Sequence, residues 1–261
     1  MSDFQNAQKE WDRIWMQFHK GLARNPGRLY RYQIIKQVIR TAITRGNQSI
    51  VDIGCGTGEL LSHLALEFSP QNLLGLDISK VGILKARENN PNLNFALIEV
   101  NDDGFISRAM KSAADIIVCS EVLEHLEEPK EILRFISNNL LSSGVLIVTV
   151  PAGPMSFLER HIGHHRHYTR DSLTYLLEAA GFSNIEVQRS GFPGINLIRL
   201  ASMLRGKRIL NDVAESQRLP ILLGSGLRIA ELILRYSLKD SIFGWQLVAV
   251  CNKEAPANSI V

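Results

Sequence analysis

The feature that most constrains this fold is an alternation of short apolar segments with amphipathic segments between residues 49 and 190. The apolar segments have the length expected of buried strands, and the segments between them carry apolar residues at helical spacing. Strands and helices that alternate in this way are typical of an α/β fold, a parallel sheet covered by helices on both faces. The expected strands are 49–54, 72–78, 93–100, 114–120, 145–151, 184–190 and 244–253. The expected helices are 4–20, 30–43, 58–68, 79–88, 129–140 and 169–180.

Two regions lie outside this alternation. Residues 1–45 carry the first two helical patterns and predict an N-terminal helical cover. Residues 191–243 separate the last two strands, and apolar residues recur there at helical spacing in 219–238, which predicts a helical insert or lid. The core then comprises residues 46–190 and 244–253.

The insert is more basic than the rest of the chain. Its eight basic residues are Arg199, Arg205, Lys207, Arg208, Arg218, Arg228, Arg235 and Lys239. Its four acidic residues are Asp212, Glu215, Glu231 and Asp240. A basic amphipathic face suits an anionic, amphiphilic or lipid-linked acceptor and peripheral contact with a membrane. The alternative is a lid or dimer interface whose apolar side is buried against protein, which leaves both a monomer and a homodimer open.

The charge and cysteine content narrow the function classes. The chain has 29 basic and 26 acidic residues, so its net charge of +3 does not indicate a nucleic-acid partner. Cys55, Cys119 and Cys251 lie far apart, which predicts neither a disulfide framework nor a cysteine zinc site. The charged N-terminus does not resemble a signal peptide, and we find no apolar run long enough to span a membrane. We therefore expect a cytoplasmic protein.

A glycine-rich turn follows the first strand in the stretch "VDIGCGTGEL", residues 51–60. Such a turn at the carboxyl end of a parallel strand is where α/β sheets bind ligands. The dinucleotide fingerprint requires a third glycine where this chain has Glu59, whose carboxylate would face a pyrophosphate. A phosphate-binding GxxxxGK[ST] loop is also absent from the sequence. The turn therefore argues against a nicotinamide oxidoreductase and against a nucleotide triphosphate.

Four segments together resemble the class I S-adenosylmethionine-dependent methyltransferases, in particular their small-molecule, ubiquinone-type branch. "VDIGCGTG" matches the first motif of that family, and Asp77 at the end of "LLGLD" matches its acidic residue. "SEVLEHLEEP" and "GHHRHYTRDSLTYLLEAAGF" match later segments of the same branch. The resemblance implies a Rossmann-like, seven-stranded, mostly parallel sheet with helices on both faces and an antiparallel last strand. N-terminal helices and the helical insert would be added to it.

The resemblance also implies S-adenosyl-L-methionine as cofactor. Its ribose diol suits the carboxylate of Asp77, and bare glycines allow the backbone to approach the methionine moiety. In the family an acid after the third strand reaches the adenine. Either Asn101 or Asp102 would have this role here. The alternative is that these residues form a solvated polar turn. The predicted cofactor-binding residues are Asp52, Gly54, Cys55, Gly56, Gly58, Asp77, Ile78, Asn101, Asp102, Ser120 and Glu121.

A histidine-rich loop follows the fifth strand, with four histidines at 161, 164, 165 and 167. Methyl transfer depends mostly on alignment, but an oxygen or nitrogen acceptor can also need a base. The candidate catalytic residues are His164, Arg166, Tyr168 and His125. The alternative is that these side chains hold the loop onto the next helix. We predict no metal site, because the loop has no cysteine or evident carboxylate partner nearby.

These features predict an enzyme of class EC 2.1.1.- that methylates a small-molecule acceptor, most simply on the oxygen of an anionic or amphiphilic metabolite. N- or C-methylation on the same fold, and a module that binds the cofactor without turnover, are the alternatives.

Overall fold

The computed structural model describes residues 3–23, 26–43, 47–98, 112–208, 232–234, 237 and 240–253. Its strands are β1 Ile50–Ile53, β2 Leu73–Asp77, β3 Asn94–Leu97, β4 Ala114–Ser120, β5 Leu140–Pro151, β6 Phe182–Ser190 and β7 Gln246–Lys253. Its helices are α1 Asp3–Ala23, α2 Pro26–Ala42, α3 Glu59–Leu64, α4 Lys80–Asn89, α5 Pro129–Asn139, α6 Phe157–His161, α7 Arg170–Glu178 and α8 Gly194–Arg205.

The strands form one sheet in the order β3-β2-β1-β4-β5-β7-β6. The pairs within β3-β2-β1-β4-β5 are parallel, whereas β7 runs antiparallel to both β5 and β6. The predicted α/β fold with an antiparallel last strand is therefore confirmed. The chain leaves β1 toward β2 on one side and later returns to β4 on the other side. Ligands bind at such a reversal, at the carboxyl ends of the strands.

The two faces of the sheet bury two apolar clusters, because side chains of a strand alternate between faces. Val51 and Ile53 of β1 belong to the cluster covered by α5 and α7. Ile50 of β1 belongs to the opposite cluster, with residues of α2, α3 and α4. All four residues of β1 are buried, so this strand is a rigid support for the turn that follows it.

Helix α8 and helix α2 meet at the edge of the second cluster. Tyr30 and Ile34 of α2 and Ile195 of α8 form a third apolar cluster with Leu234 and Val248. The beginning of the insert therefore packs on the N-terminal region and on β7. Most of the predicted helical pattern at 219–238 lies outside the described residues.

Several predicted boundaries are wrong, among them the starts of α2 at Pro26 rather than residue 30 and of β6 at Phe182 rather than residue 184. The sequence pattern placed the end of a helix at Leu140 and the next strand at 145, with Ser142, Ser143 and Gly144 as the break. In the structure α5 ends at Asn139, and β5 already begins at Leu140 and continues through Gly144. Strand pairing overrides the local turn preference there, because Leu140 pairs with Ala114 and the Gly144 carbonyl accepts a hydrogen bond from Asn252 Nδ2 at 3.1 Å. Helix α3 likewise ends at Leu64, four residues before the predicted end.

No helix within the described residues is both long enough and apolar enough to cross a bilayer.

Candidate functional site

The glycine turn after β1 is held against the neighbouring strand β2. The amides of Gly54 and Cys55 donate to the carbonyl of Leu76 at 2.7 and 3.0 Å. Gly56 follows with a φ of +55°, in the left-handed region that favours glycine. The turn ends at Gly58, the N-cap of α3. The turn therefore presents backbone atoms rather than side chains at the carboxyl edge of the sheet.

Asp77 lies at the end of β2 with its carboxylate turned toward this turn. One carboxylate oxygen accepts from the Gly56 amide and the other from the Ser79 amide, both at 2.8 Å. The side chain is buried, and burial raises the pKa of Asp77 to about 6 although the two amide donors oppose the rise. The Ile78 amide also acts on this carboxylate, and each of its oxygens has two lone pairs, so acceptor capacity remains beyond the backbone contacts.

Further acids lie around this turn. Asp52 of β1 is buried, and burial together with the nearby Asp77 raises its pKa well above the usual range. Glu59 at the start of α3 faces Arg28 of α2, with 3.8 Å between Oε1 and Nη1. Cys55 is buried as well, and burial raises the pKa of its thiol, so it serves as a small neutral side chain.

Helix α1 covers the glycine turn. The ring of Trp15 is buried directly over Gly56, and a Cβ at that glycine would lie 2.5 Å from Trp15 Cζ2. Asp12 accepts hydrogen bonds from the Ser79 hydroxyl at 2.5 Å and the Val81 amide at 3.0 Å. Gln8 Nε2 donates to the carbonyl of Ile78 at 2.7 Å. The space where the sequence predicts a cofactor is therefore closed by α1.

Glu121 follows β4 and has a φ of 57°, which is strained for a residue with a side chain. Its Oε1 accepts from Gln246 Nε2 at 2.9 Å and from the Thr149 hydroxyl at 3.3 Å. Its Oε2 lies 3.7 Å from Arg31 Nη1 of α2. The hydroxyls of Ser120 and Thr149 lie 2.8 Å apart. These contacts aim Glu121 along the edge of the sheet, beside the glycine turn.

A short 3-10 turn, Leu123–His125, brings two ionisable side chains next to the histidine loop. The carboxylate of Glu124 is fully buried, and one ligand atom each of Glu124, His125 and His164 lies within 4.8 Å of the others. The rings of His125 and His164 meet edge to face with centroids 4.5 Å apart. Trp11 of α1 meets His125 in the same way at 4.7 Å.

Burial sets the charge states of this cluster. It lowers the pKa of His125 to about 3, with His164 adding to the effect, and that of His164 to about 4. It raises the pKa of Glu124 well above the usual range, and Glu121 adds to that rise. Both imidazoles are therefore neutral near pH 7.

Other members of the histidine loop hold it in place. Tyr168 is buried, and its hydroxyl donates to the carbonyl of Leu123 at 3.1 Å. Arg166 Nη2 donates to the carbonyl of Glu127 at 2.9 Å, and the His165 amide donates to the carbonyl of Glu124 at 2.9 Å. The structure thus gives Arg166 and Tyr168 loop-holding contacts, the alternative that the sequence left open.

An ion pair that the sequence pattern did not reveal joins the insert to α6. Arg199 of α8 pairs with Glu159 of α6, with 2.8 Å between Nε and Oε1. Arg199 also donates to the carbonyls of Ala152, Pro154 and Trp245. The expectation that Arg199 contributes to an exposed basic face is therefore wrong, because its guanidinium is surrounded by protein acceptors.

The structure brings most, but not all, of the predicted site residues together. Asp52, Gly54, Cys55, Gly56, Gly58, Asp77, Ile78, Ser120 and Glu121 lie around the turn and the ends of β1, β2 and β4. His125 and His164 lie in one cluster beside them. Asn101 and Asp102 lie outside the described residues.

Sequence reasoning missed Trp15, Glu124 and Arg31. The pattern "EVLEH" contains Glu124, but nothing local shows that this acid faces the histidine loop. The argument that the loop lacks a carboxylate partner is therefore wrong.

The chain is similar to several known proteins. A trans-aconitate 2-methyltransferase of Deinococcus radiodurans is 27% identical over 175 residues, which cover 67% of this chain and 63% of that protein. A mitochondrial ubiquinone biosynthesis O-methyltransferase of Saccharomyces cerevisiae is 33% identical over 90 residues, which cover 34% of this chain and 29% of that protein. This chain therefore spans less than two thirds of the length of either relative.

A solved structure shows the same fold. It is described as a methyltransferase dependent on S-adenosylmethionine, possible histamine N-methyltransferase, from Thermotoga maritima. Its TM-score is 0.58 at 15% identity, covering 95% of this chain and 99% of that one.

The family model of a methyltransferase domain matches residues 27–187, more than half of the chain. The match includes the glycine turn, Asp77 and the loop that contains His164. The resemblance read from the sequence is confirmed, and so is the family's cofactor, S-adenosylmethionine. The chain therefore belongs to the methyltransferase-domain family, within the class I methyltransferases that use S-adenosylmethionine.

Proposed function

We propose that this protein transfers a methyl group from S-adenosylmethionine to an oxygen atom of an anionic small-molecule acceptor. The observation that carries the proposal is the Asp77 carboxylate, buried at the end of β2 and fixed against the glycine turn by Gly56 and Ser79. Its remaining lone pairs match the two hydroxyls of a ribose. Asp77 would thus bind and orient the cofactor's sugar.

The charge around the turn supports a cationic cofactor. Asp52 and Asp77 are close enough to raise the pKa of Asp52, and Glu59 adds to the rise. An ionised carboxylate at Asp77 would repel a pyrophosphate but not a sulfonium. Carboxyl groups around the turn therefore fit S-adenosylmethionine better than a dinucleotide.

Entry of the cofactor requires movement of α1. Trp15 lies over Gly56 and Trp11 lies against His125, so both rings stand where the cofactor and acceptor would meet. A helix that opens for binding and closes afterwards would also exclude water from the reacting groups. We assign this covering role to α1.

His125 and His164 are proposed to face the acceptor. Both are neutral near pH 7, so they do not repel a sulfonium and can accept a proton. Their lowered pKa values make them weak bases, which places most of the catalysis in alignment. Arg166 and Tyr168 would support this alignment through the loop.

The choice of an oxygen on an anionic acceptor is supported by the relatives. The yeast relative is named an O-methyltransferase, and the substrate in the name of the bacterial relative is a carboxylic acid anion. An amphiphilic or lipid-linked acceptor was predicted from the basic residues of the insert. Four of these eight residues lie outside the described residues, and Arg199 is paired within the protein, so that prediction has no added support.

Calorimetric titration with S-adenosylmethionine tests the cofactor site. We expect binding by the native protein and a loss of at least tenfold in affinity for Asp77→Asn, because each charge-assisted hydrogen bond contributes about 1.5–3 kcal/mol. Asp171→Asn, an exposed acid on α7, is the matched control and should bind normally. Unchanged affinity in Asp77→Asn would remove Asp77 from the site, and no binding at millimolar cofactor would end the proposal.

The acceptor is tested by transfer of a deuterated methyl group to a panel of carboxylic acids, phenols and amines, with products identified by mass spectrometry. Methyl esters or ethers would support the proposal. Methylamine or carbon-methylated products would favour the N- or C-methyl alternatives. Cofactor binding without any product across the panel would favour a module without turnover.

A further inference from the structure

We propose that Glu124, His125 and His164 form a binding site for one divalent transition-metal cation, of the class of Zn²⁺ or Mn²⁺. One ligand atom of each residue lies within 4.8 Å of the other two. Three ligands at about 2.1 Å from one ion lie roughly 3 Å apart, a spacing that small side-chain rotations reach from here.

The buried carboxylate of Glu124 lacks a partner for its oxygen atoms within the described part of the chain. It is fully buried, and neither of its oxygens has a hydrogen-bond partner among the described residues. His125 Nδ1, in the next residue, is also buried and makes no well-formed hydrogen bond there, although the Gly163 backbone is near enough to oppose the lowering of the pKa of His125. Buried polar atoms are nearly always satisfied, and unsatisfied ones point to an ion, a water or a catalytic role. Three unsatisfied ligand atoms in adjacent residues therefore point to a cation.

The site is built by contacts that would hold its parts in register. Three hydrogen bonds, from the His165 amide and from the side chains of Arg166 and Tyr168, join the histidine loop to the carbonyls of residues 123–127. They lie on both sides of Glu124 and His125 along the chain. The ligand cluster therefore belongs to two segments that are fixed to each other.

Hydrogen bonding also assigns a free lone pair to His164. His167 Nδ1 lies 2.9 Å from the carbonyl of Gly153 and must donate to it, so His167 Nε2 is an acceptor. Arg199 Nη2 also lies 3.2 Å from His167 Nδ1, but Nη2 donates over a shorter distance, 2.7 Å, to the carbonyl of Pro154. His164 Nδ1, 3.2 Å from His167 Nε2, then carries the proton. His164 Nε2 is left with its lone pair, as a metal ligand requires.

The ligand types select the cation. Two imidazoles and one carboxylate suit zinc, manganese or iron, whereas magnesium and calcium prefer oxygen ligands. Three protein ligands leave coordination positions open. If the proposed methyl transfer to oxygen is right, an acceptor oxygen would take one of them, and its proton would be lost more easily. Metal binding itself does not depend on that step.

The test uses the tag-free full chain, stripped with EDTA and titrated separately with Zn²⁺ and Mn²⁺ by calorimetry. Bound metal is then counted by elemental analysis after gel filtration. We expect one equivalent bound. Glu124→Gln, which keeps the size of the side chain, and His164→Gln should each weaken binding at least tenfold. His165→Gln removes an exposed imidazole of the same loop and should bind as the native protein does.

Cobalt substitution separates this site from thiol sites. The three cysteines are buried, and a cobalt spectrum without thiolate charge-transfer absorption would place the metal on nitrogen and oxygen ligands. Absence of binding in the submillimolar range, or binding that both variants retain, would overturn the proposal. Metal binding without cofactor binding would instead overturn only the proposed methyl transfer, so the two failures are distinguishable.

Discussion

At the scale of single residues, Asp77 links the fold to the proposed chemistry. It ends β2, accepts the amides of Gly56 and Ser79, and lies beside Asp52. Burial is the largest influence on it and raises its pKa to about 6, with Asp12 of α1 adding to the rise. If Asp77 binds the cofactor's ribose as proposed, its raised pKa makes cofactor binding sensitive to pH.

We expect affinity for S-adenosylmethionine to fall as the pH drops below about 6, approaching tenfold per pH unit, because protonated Asp77 loses acceptor capacity. Without cofactor the sign is opposite. The folded pKa is raised, so the stability contributed by protonated Asp77 is present at low pH and is lost as the pH rises through about 6. Calorimetry at several pH values measures the first effect. A binding profile in Asp77→Asn with the same fall would contradict it.

Gly56 combines two constraints, a φ of +55° and the ring of Trp15 over its Cα. Gly56→Ala should lower the free energy of unfolding by about 2–4 kcal/mol, from left-handed strain of about 1 kcal/mol plus overpacking of about 1–3 kcal/mol. Gly181→Ala is the matched control, since Gly181 has a φ of +81° and nothing within 4 Å of an added Cβ. Equal losses in urea unfolding of the two variants would show that Trp15 does not press on Gly56.

At the scale of elements, α1 is attached to the core mainly through the start of α4. Asp12 accepts the Ser79 hydroxyl and the Val81 amide, and Ser79 itself caps α4 by accepting the Gly82 amide at 3.0 Å. An acid at a helix N-terminus is favourable because the helix dipole is positive there. The same contacts keep Trp15 over the glycine turn. The residues that cap α4 therefore also hold α1 over the turn.

Asp12→Ala should loosen this cover. We expect a loss of about 1 kcal/mol in stability, as for other capping residues, and faster hydrogen exchange in α1. Cofactor association should be faster if opening of α1 limits entry, which stopped-flow fluorescence of the nearby tryptophans can follow. Glu10→Ala, an exposed residue of α1, is the control. Unchanged exchange in Asp12→Ala would show that Asp12 does not hold the helix.

At the scale of the whole molecule, the beginning of the insert is part of the packed structure. Ile195 of α8 packs with Tyr30 and Ile34 of α2, and Arg199 joins Glu159 and the histidine loop. The N-terminal region, the loop and α8 therefore meet at the carboxyl edge of the sheet. We expect a substitution in any of these three elements to alter the proposed acceptor site.

Arg199→Met should destabilise the protein by about 3–5 kcal/mol, because it leaves the half-buried carboxylate of Glu159 without its charge partner. The double variant with Glu159→Gln should recover a large part of that loss, since no unpaired charge remains. Lys207→Met, a change at an exposed residue just after α8, should be nearly neutral. Denaturant unfolding of the native protein, Arg199→Met, Glu159→Gln and the double variant measures the coupling, and additive losses would mean that the pair does not interact.

Local patterns were enough to predict the α/β alternation, the glycine turn and Asp77. A strand, the tight turn after it and the acid that ends the next strand are all encoded within a few residues. The order of these segments along the chain then placed them at one edge of a parallel sheet, because parallel strands end on the same side.

Tertiary structure alone decided which distant side chains meet. Glu124 faces His164 across 40 positions, Trp15 lies on Gly56, and Arg199 pairs with Glu159. No local propensity encodes these contacts, because they depend on how whole elements pack. The early start of β5 at Leu140 has the same origin, since pairing with β4 outweighs the local turn preference. The sequence by itself determined the fold and the glycine turn at the carboxyl edge of the sheet, whereas packing decided what covers that edge and which buried groups lie beside it.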